Sequence, residues 1–409
     1  MSKSYDYKSS YPYIICTFDG FPISPFIKWA DNVSNKEFKN LLKEKCCMFY
    51  IHFNHLRIKP FNPITCISIS KIIRRFKKPQ IDIVDNGRLV EGRDIVLCCN
   101  EIDLKMIFNE YDIIGGYHVW DIYIAKKGKL PDCIRYGVFE LFKEKCQLEK
   151  LKKTADGQYN YDKFKNLLNA CFGMSLTDIY HSEISINFDM IGKDKTKIWK
   201  EEETKSKQEQ LDKYFKNWNS FLYYPWGLYI TSFGRFRLSQ LIKCCNVPYY
   251  WDTDSCKGDD WNEEKLNKLN QETIKILKEN NMVVTIDGKN YYLGLAELDG
   301  EYKKFKSMGA KKYAYIDEND ELHITIAGVN KSNGAKELDS IENFDENFTF
   351  YESGGQCAKY NDEVIHTLNF NGVEFETASN IAIVPSTYKL KSCDDYLSRT
   401  NFTVLERCD

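Results

Sequence analysis

Within ten residues the chain stops a helix, extends three aromatics and turns on two carboxylates: Asn246-Val247-Pro248, then Tyr249-Tyr250-Trp251, then Asp252-Thr253-Asp254-Ser255. Proline cannot continue a helix, aromatics favour a pleated strand and Asp-Thr-Asp favours a tight turn, so the segment predicts a strand running into an acidic hairpin. Carboxylates a residue apart at a strand end offer the oxygen ligands that hard divalent cations take. Taken alone, Asp-x-Asp more often serves as a turn or cap. A third aspartate changes the weighing: Asp6, in Asp6-Tyr7-Lys8-Ser9-Ser10-Tyr11-Pro12, opens a segment expected to be a strand through Tyr13–Phe18 and could lie beside the hairpin. Carboxylates from two strands can hold two Mg²⁺ about 4 Å apart for in-line phosphoryl transfer.

The formal net charge of -2 hides two opposed regions. Residues 314–409 carry 7 basic and 18 acidic groups, whereas Lys36 to Lys78 carry 11 basic against 2 acidic. A local basic surface therefore survives a neutral total, although a single run such as Arg74-Arg75-Phe76-Lys77-Lys78 is usually a solvated face. At 409 residues and 43% hydrophobic, the chain can build two or three lobes and is neither collagen-like nor broadly disordered. The 15 cysteines contain no C-x-x-C spacing, and the opening MSKSYDYKSSYPY has no signal pattern, so reduced thiols in a cytosol are expected. No apolar run approaches eighteen residues, so no membrane span is expected.

Residues 36–148 are expected to mix short apolar strands with turns. Thr154 or Asp156 caps a predicted helix with Phe164, Leu167, Leu168, Cys171 and Phe172 on one face, and Phe172-Gly173 closes it. The Gly is expected as a left-handed cap or as a place where a base pair approaches the backbone. Gly192 to Ser220 is rich in Lys, Glu and Gln and reads as an exposed insertion. After a Pro-Trp-Gly break at 225–227 come a helix, the acidic hairpin, a helix over about Asn262 to Lys278, and hairpins turning at Asp287-Gly288 and near Asn319-Asp320.

A metal site for phosphoryl transfer needs groups that hold polyphosphate. Lys165 and Asn169, one helical turn apart, supply a cation and an amide donor. Lys303, Lys304, Lys306, Lys311 and Lys312 with Tyr313 and Tyr315 interleave cations and aromatics, as a strand-tracking surface would. His52-Phe53-Asn54-His55 has ligand spacing but no nearby Cys or carboxylate in sequence, and reads as structural or exposed histidines.

Together these segments resemble the polymerase half of family B DNA polymerases, most closely the protein-primed phage and plasmid branch. Asp6 to Pro12 is similar to motif A, D-x-x-S-L-Y-P, with Ser10 in place of Leu. Lys165 to Gly173 is similar to motif B, K-x-x-x-N-x-x-Y-G, with Phe172 in place of Tyr. Tyr250 to Ser255 is similar to motif C, Y-x-D-T-D-S, and Lys311-Lys312-Tyr313 to the K-x-Y motif. The four stand in the family's order over more than 300 residues.

The resemblance implies an α+β right-hand polymerase with an antiparallel palm sheet, fingers and thumb. Its implied parts are palm with the motif A strand over 1–35, palm with a first protein-primed insertion over 36–148, and fingers over 149–185. A second such insertion then covers 186–223, palm with motif C and K-x-Y 224–316, and thumb 317–409. It implies Asp6 and Asp254 as the main ligands of two Mg²⁺, for which Mn²⁺ can substitute, with Asp252 and Tyr7 beside them. Tyr11 would exclude a ribose 2′-hydroxyl. Lys153, Lys165, Asn169 and Phe172 would hold the incoming dNTP, and Ser9, Gly173, Tyr250, Thr253, Lys311 and Tyr313 would touch primer-template DNA. A terminal protein is an implied primer. Five residues precede Asp6, so the family's exonuclease and its proofreading are expected to be missing, or carried on a separate partner chain. The rival of a different class is a non-catalytic DNA-binding subunit of a split or decayed polymerase; an RNA-synthesising palm enzyme is disfavoured by Tyr11 and motif B.

Overall fold

The computed structural model describes residues 2–74, 82–85, 87–180, 183–186, 199–202, 206–217, 223–370, 373–391 and 403–404. Most of the basic run 74–78, much of the charged 186–223 stretch and nearly all of the last eighteen residues lie outside these. The chain divides into two compact units, one of residues 1–176, 223–305 and 392–409, the other of 177–222 and 306–391.

In the first unit an antiparallel sheet runs in the order Cys245–Asp252, Ser255–Trp261, Ser2–Tyr7, Ala296–Ser307. The opening strand is therefore interior, which is why Ser4, Tyr5 and Tyr7 are all buried. Leu238, Leu241 and Ile242 of helix Tyr224–Ile242 and Leu266 of helix Glu263–Glu279 pack with Tyr5, Tyr7 and Ala296 of this sheet.

The strand expected through Tyr13–Phe18 is instead the α-helix Ser10–Thr17. Its β-branched and aromatic run suits a strand, but Tyr13, Ile14, Ile15 and Cys16 are buried alike, and an element buried all round loses the periodicity that separates helix from strand. Pro12 sits in its first turn, where no amide is needed, and Thr17 Oγ1 donates to Tyr13 O at 2.8 Å. The Pro-Trp-Gly break likewise lies inside helix Tyr224–Ile242, because Pro225 occupies a first-turn position.

Residues 36–148 hold long strands and helices beside the short strands Ile73–Arg74 and Ile83–Asp85. Lys45–Ile58 lies between Arg88–Asn100 and Tyr111–Gly128, all antiparallel, with Cys47, Phe49, Ile51 and Phe53 alternating inward against Phe38 and Leu41 of helix Asn35–Glu44. Helix Asp132–Leu148 sends Phe139 and Phe142 into one core with Leu168 of helix Ala155–Gly173, so the boundary expected at 148/149 separates two helices that share a core.

In the second unit, hairpin Lys312–Asp317 with Leu322–Ile326, helix Lys331–Leu338 and hairpin Thr349–Phe370 with Val373–Lys389 surround Ala314, Ile324, Leu338 and Phe350. Residues 306–316, expected with 224–305, belong to this unit. The hairpin turns expected at Asp287-Gly288 and Asn319-Asp320 are present, with positive φ at Asp287, Gly288 and Asp320. No described helix is long and apolar enough to cross a membrane, and the described cysteines are free thiols.

Candidate active site

Two strand pairings bring distant carboxylates together. Asp252 pairs with Ser255 across a turn whose first residue, Thr253, takes a φ of 55°, and Asp6 pairs with Ser255 from the other side. Main-chain bonds lock the edge: Tyr7 N donates to Asp254 O at 3.0 Å and Asp254 N to Asp252 O at 2.7 Å. Thr253 Oγ1 donates to Asp252 Oδ1 at 3.0 Å.

The titration of the acids follows from that crowding. Burial, then repulsion from Asp254, Asp299 and Glu297, raises the Asp6 carboxyl from 3.8 to about 7, with Lys257 opposing. Burial, then Asp252 and Asp299, raises Asp254 from 3.8 to about 6, a main-chain hydrogen bond opposing. Lys257 is buried, donates to Ser4 Oγ at 2.9 Å, and is itself pulled down by burial. A cation would relieve such crowding of carboxylates; among the described residues, the three-residue group whose ligand atoms all lie within 4.8 Å of one another is Asp317, Glu321 and His323, in the second unit.

Asp299 escaped the sequence reading. Strand Ala296–Ser307 pairs Tyr5 with Leu298 and Ser4 with Gly300, so Asp299 is the extra residue of a bulge, close enough to Asp6 and Asp254 to raise both. In sequence its acidic alternation with Glu297 and Glu301 looks like any solvated edge, and only the pairing register exposes it.

Ser9 turns the chain out of the opening strand in a left-handed conformation, φ 51° and ψ 53°, and presents Tyr11 on the next helix. The Tyr11 ring packs on Phe172 with centroids 4.2 Å apart, and on Gly234, where an added Cβ would come within 3.2 Å of it. Burial and then Asp254 raise the Tyr11 phenol, which places the ring beside the acids.

Lysines gather near Ser9. Lys145, buried on helix Asp132–Leu148, donates to Ser9 Oγ at 3.2 Å; burial lowers its pKa, and Lys8 and Lys165 press in the same direction. Sequence reasoning missed Lys145 because it sits in a helix that showed no motif. Lys165 and Asn169 are exposed one turn apart on helix Ala155–Gly173. The acids thus lie close to Tyr11, and the lysines gather near Ser9, two residues before it.

Other expected residues are placed differently. Lys153 is exposed in the turn between the two helices, while its neighbour Lys152 lies over the Tyr161 ring at 3.7 Å. Tyr250 is buried with its ring 5.9 Å from that of Phe305, so it presents no surface to a DNA strand. Tyr7 is buried as well, its hydroxyl donating to Arg237 O at 3.0 Å and its ring 4.1 Å from the Arg237 guanidinium, so toward a metal it has only its carbonyl to offer. Gly173 has no positive φ and is not a left-handed cap; the chain continues into the turn Met174–Leu176, and the space where a Cβ would stand is open. Lys311 and Tyr313 lie in the second unit, Lys311 with a φ of 55° and Tyr313 stacked on Tyr315 at 6.3 Å. His52 and His55, which showed no partner in sequence, bond to Asp94 at 2.5 Å and Glu91 at 2.8 Å.

No protein-family model matches the chain, and no curated protein matches its sequence. Solved structures do. Phi29 DNA polymerase complexed with primer-template DNA and incoming nucleotides matches with a TM-score of 0.62 at 14% identity, over 95% of this chain and 58% of that one. Its fold is similar to that of phi29 DNA polymerase. The binary complex of the phi29 enzyme with primer-template DNA gives a TM-score of 0.59 at 16% identity, and its orthorhombic crystal form 0.61 at 14%. At that identity the likeness carries the fold alone. The chain spans a little over half the length of the phi29 polymerase chains.

Proposed function

We propose that the chain is a family B DNA polymerase of the protein-primed phage or plasmid branch, adding deoxynucleotides to a primer end under direction of a template. The observation that carries this reading is the register that sets Asp6 beside Ser255 and so joins it to Asp252 and Asp254, on a phi29-like fold. The primer-template DNA and nucleotides named for the phi29 complexes are the partners proposed here. The four-stranded sheet is the proposed palm, the helices Asp132–Leu148 and Ala155–Gly173 the fingers, and residues 317–409 the thumb. The sheet built on Lys45–Ile58 is the proposed first insertion, and 186–223 the second.

Asp6, Asp254, Asp252 and the Tyr7 carbonyl would hold two Mg²⁺, or Mn²⁺ in their place. Such ions acidify a primer 3′-hydroxyl and neutralise a leaving pyrophosphate. The protein's own work is positioning. Tyr11, held between Phe172 and Gly234, stands under the sugar and leaves no room for a 2′-hydroxyl. Lys165 and Asn169, joined by Lys145, grip the triphosphate, the buried Lys145 through a weakly solvated and therefore stronger charge. Ser9, Thr253 and Gly173 border the primer-template, with Lys311 and Tyr313 on the primer strand.

The test is primer extension with Mg²⁺ and four dNTPs by the chain and by Asp254→Asn. Extension by the chain alone supports the reading. Extension by both would remove the metal site from the chemistry. Primer-template binding without extension by either would favour the rival DNA-binding subunit.

A further inference from the structure

Behind the helix that supports Tyr11 lies a second cavity. Its volume is about 740 Å³, within the range that holds a nucleotide-sized ligand. Helix Tyr224–Ile242 separates the two places: Gly234 packs on the Tyr11 ring, and the next residue, Arg235, lines the cavity. The opposite wall is strand Arg88–Asn100, and the floor is the start of helix Glu101–Glu110.

Charged and apolar side chains both line the cavity. Arg235 is spoken for, its Nη2 lying 2.8 Å from Asp103 Oδ1 and 2.9 Å from Ser232 Oγ. Lys71 and Arg88 line the same space, and among the described residues no carboxylate pairs with either. Both are exposed to solvent, and two cations lining one concave site attract a phosphate. Beside them Leu97, Met106 and Ile73 offer apolar contact, and the hydroxyl of Ser68 can meet a base edge. An all-apolar ligand would leave the cations unanswered, and a free inorganic anion would leave most of the volume empty.

We infer that this cavity binds a nucleoside 5′-phosphate, phosphate at Lys71 and Arg88 and base against Leu97 and Met106. The ligand is either a free nucleotide or one unstacked from single-stranded DNA. The inference rests on the polymerase reading only for the second source.

Two cysteines make the test internal. Cys98 lines the cavity and is exposed, whereas Cys133 is exposed on helix Asp132–Leu148 and does not line it. Burial raises the Cys98 thiol, so iodoacetamide labelling of the full chain is run at alkaline pH and read by peptide mass spectrometry. The probes are dTMP and a 5′-phosphorylated oligothymidylate. A ligand at ten times its Kd should slow labelling of Cys98 about tenfold and leave Cys133 unchanged. Arg88→Glu and, separately, Lys71→Glu should abolish that protection. Protection by dTMP identifies a free nucleotide, and protection by the oligonucleotide alone identifies a strand. No protection by either probe, equal slowing at Cys133, or protection that survives both substitutions overturns the inference. Asp254→Asn keeps the two conclusions apart, since it should end extension and preserve protection. Extension by the unsubstituted chain with Cys98 unprotected would sink the cavity site and leave the polymerase reading standing.

Discussion

Replacing Asp254 by asparagine should make the metal-free protein more stable while ending its synthesis. Asp6 rises from 3.8 to about 7 and Asp254 from 3.8 to about 6. At 1.36 kcal/mol per tenfold change in proton affinity, ionising them in the folded state opposes folding by at most about 4 and about 3 kcal/mol. Burial is the first cause for both and persists for Asp6 in the variant, and both groups keep partial contact with water. A discount to about a third leaves an expected gain of roughly 1–2 kcal/mol. The sign follows from the direction of the shifts. A carboxyl raised on folding costs nothing below its unfolded pKa near 4, and stability drains away as pH rises toward 6 for Asp254 and 7 for Asp6. Variant and parent should therefore unfold together near pH 4, separate up to pH 7, and stay apart above it. The assay is thermal unfolding by circular dichroism at one scan rate in EDTA, with a Tm difference on the order of 1–3 °C at pH 8. Adding Mg²⁺ should raise the parent's Tm and close the gap. An Asp254→Asn protein no more stable than its parent at pH 8 in chelator would refute the electrostatic account of the site.

Asp299→Asn should lower the rate of extension and, in chelator at pH 8, add a smaller share of stability than Asp254→Asn, because Asp299 acts on Asp6 and Asp254 from the bulge; unchanged single-turnover rates would place it outside the site. Lys145→Met should raise the KM for dNTPs by about tenfold to a hundredfold, the value of one charged hydrogen bond to phosphate, and an unchanged KM would leave Lys145 as a support for Ser9 only. Gly294 holds a φ of 71°, its amide donates to Lys8 O at 2.6 Å, and a Cβ there would stand 2.4 Å from the Tyr13 ring. Gly294→Ala should cost about 2–4 kcal/mol, read as a lowered denaturation midpoint. Tyr11→Val should admit ribonucleotides, measured as the ratio of rNTP to dNTP extension; an unaltered ratio would remove Tyr11 from sugar discrimination.

Short-range chemistry made several elements legible before any coordinates. Pro248 and the aromatics after it foretold the strand, Asp-Thr-Asp its turn, Thr154 the cap of a helix, and Asp287-Gly288 a hairpin, since each is decided by residues a few positions apart. The four motifs named the carboxylates and the helix that carries Lys165 and Asn169. Where burial is complete the local signal vanished: Tyr13 to Cys16 carry strand-forming side chains and form a helix because every face is covered. The sequence by itself determined which side chains could bind metal, phosphate and sugar, because those are properties of the groups. Only the tertiary structure decided which of them meet. Strand register put Asp6 between Ser255 and Glu297, a one-residue bulge added Asp299, burial withdrew Tyr250 and set Lys145 against Ser9, and helix Tyr224–Ile242 gave Tyr11 its backing. Register, bulges and burial arise from contacts between segments hundreds of residues apart, and no local pattern encodes them.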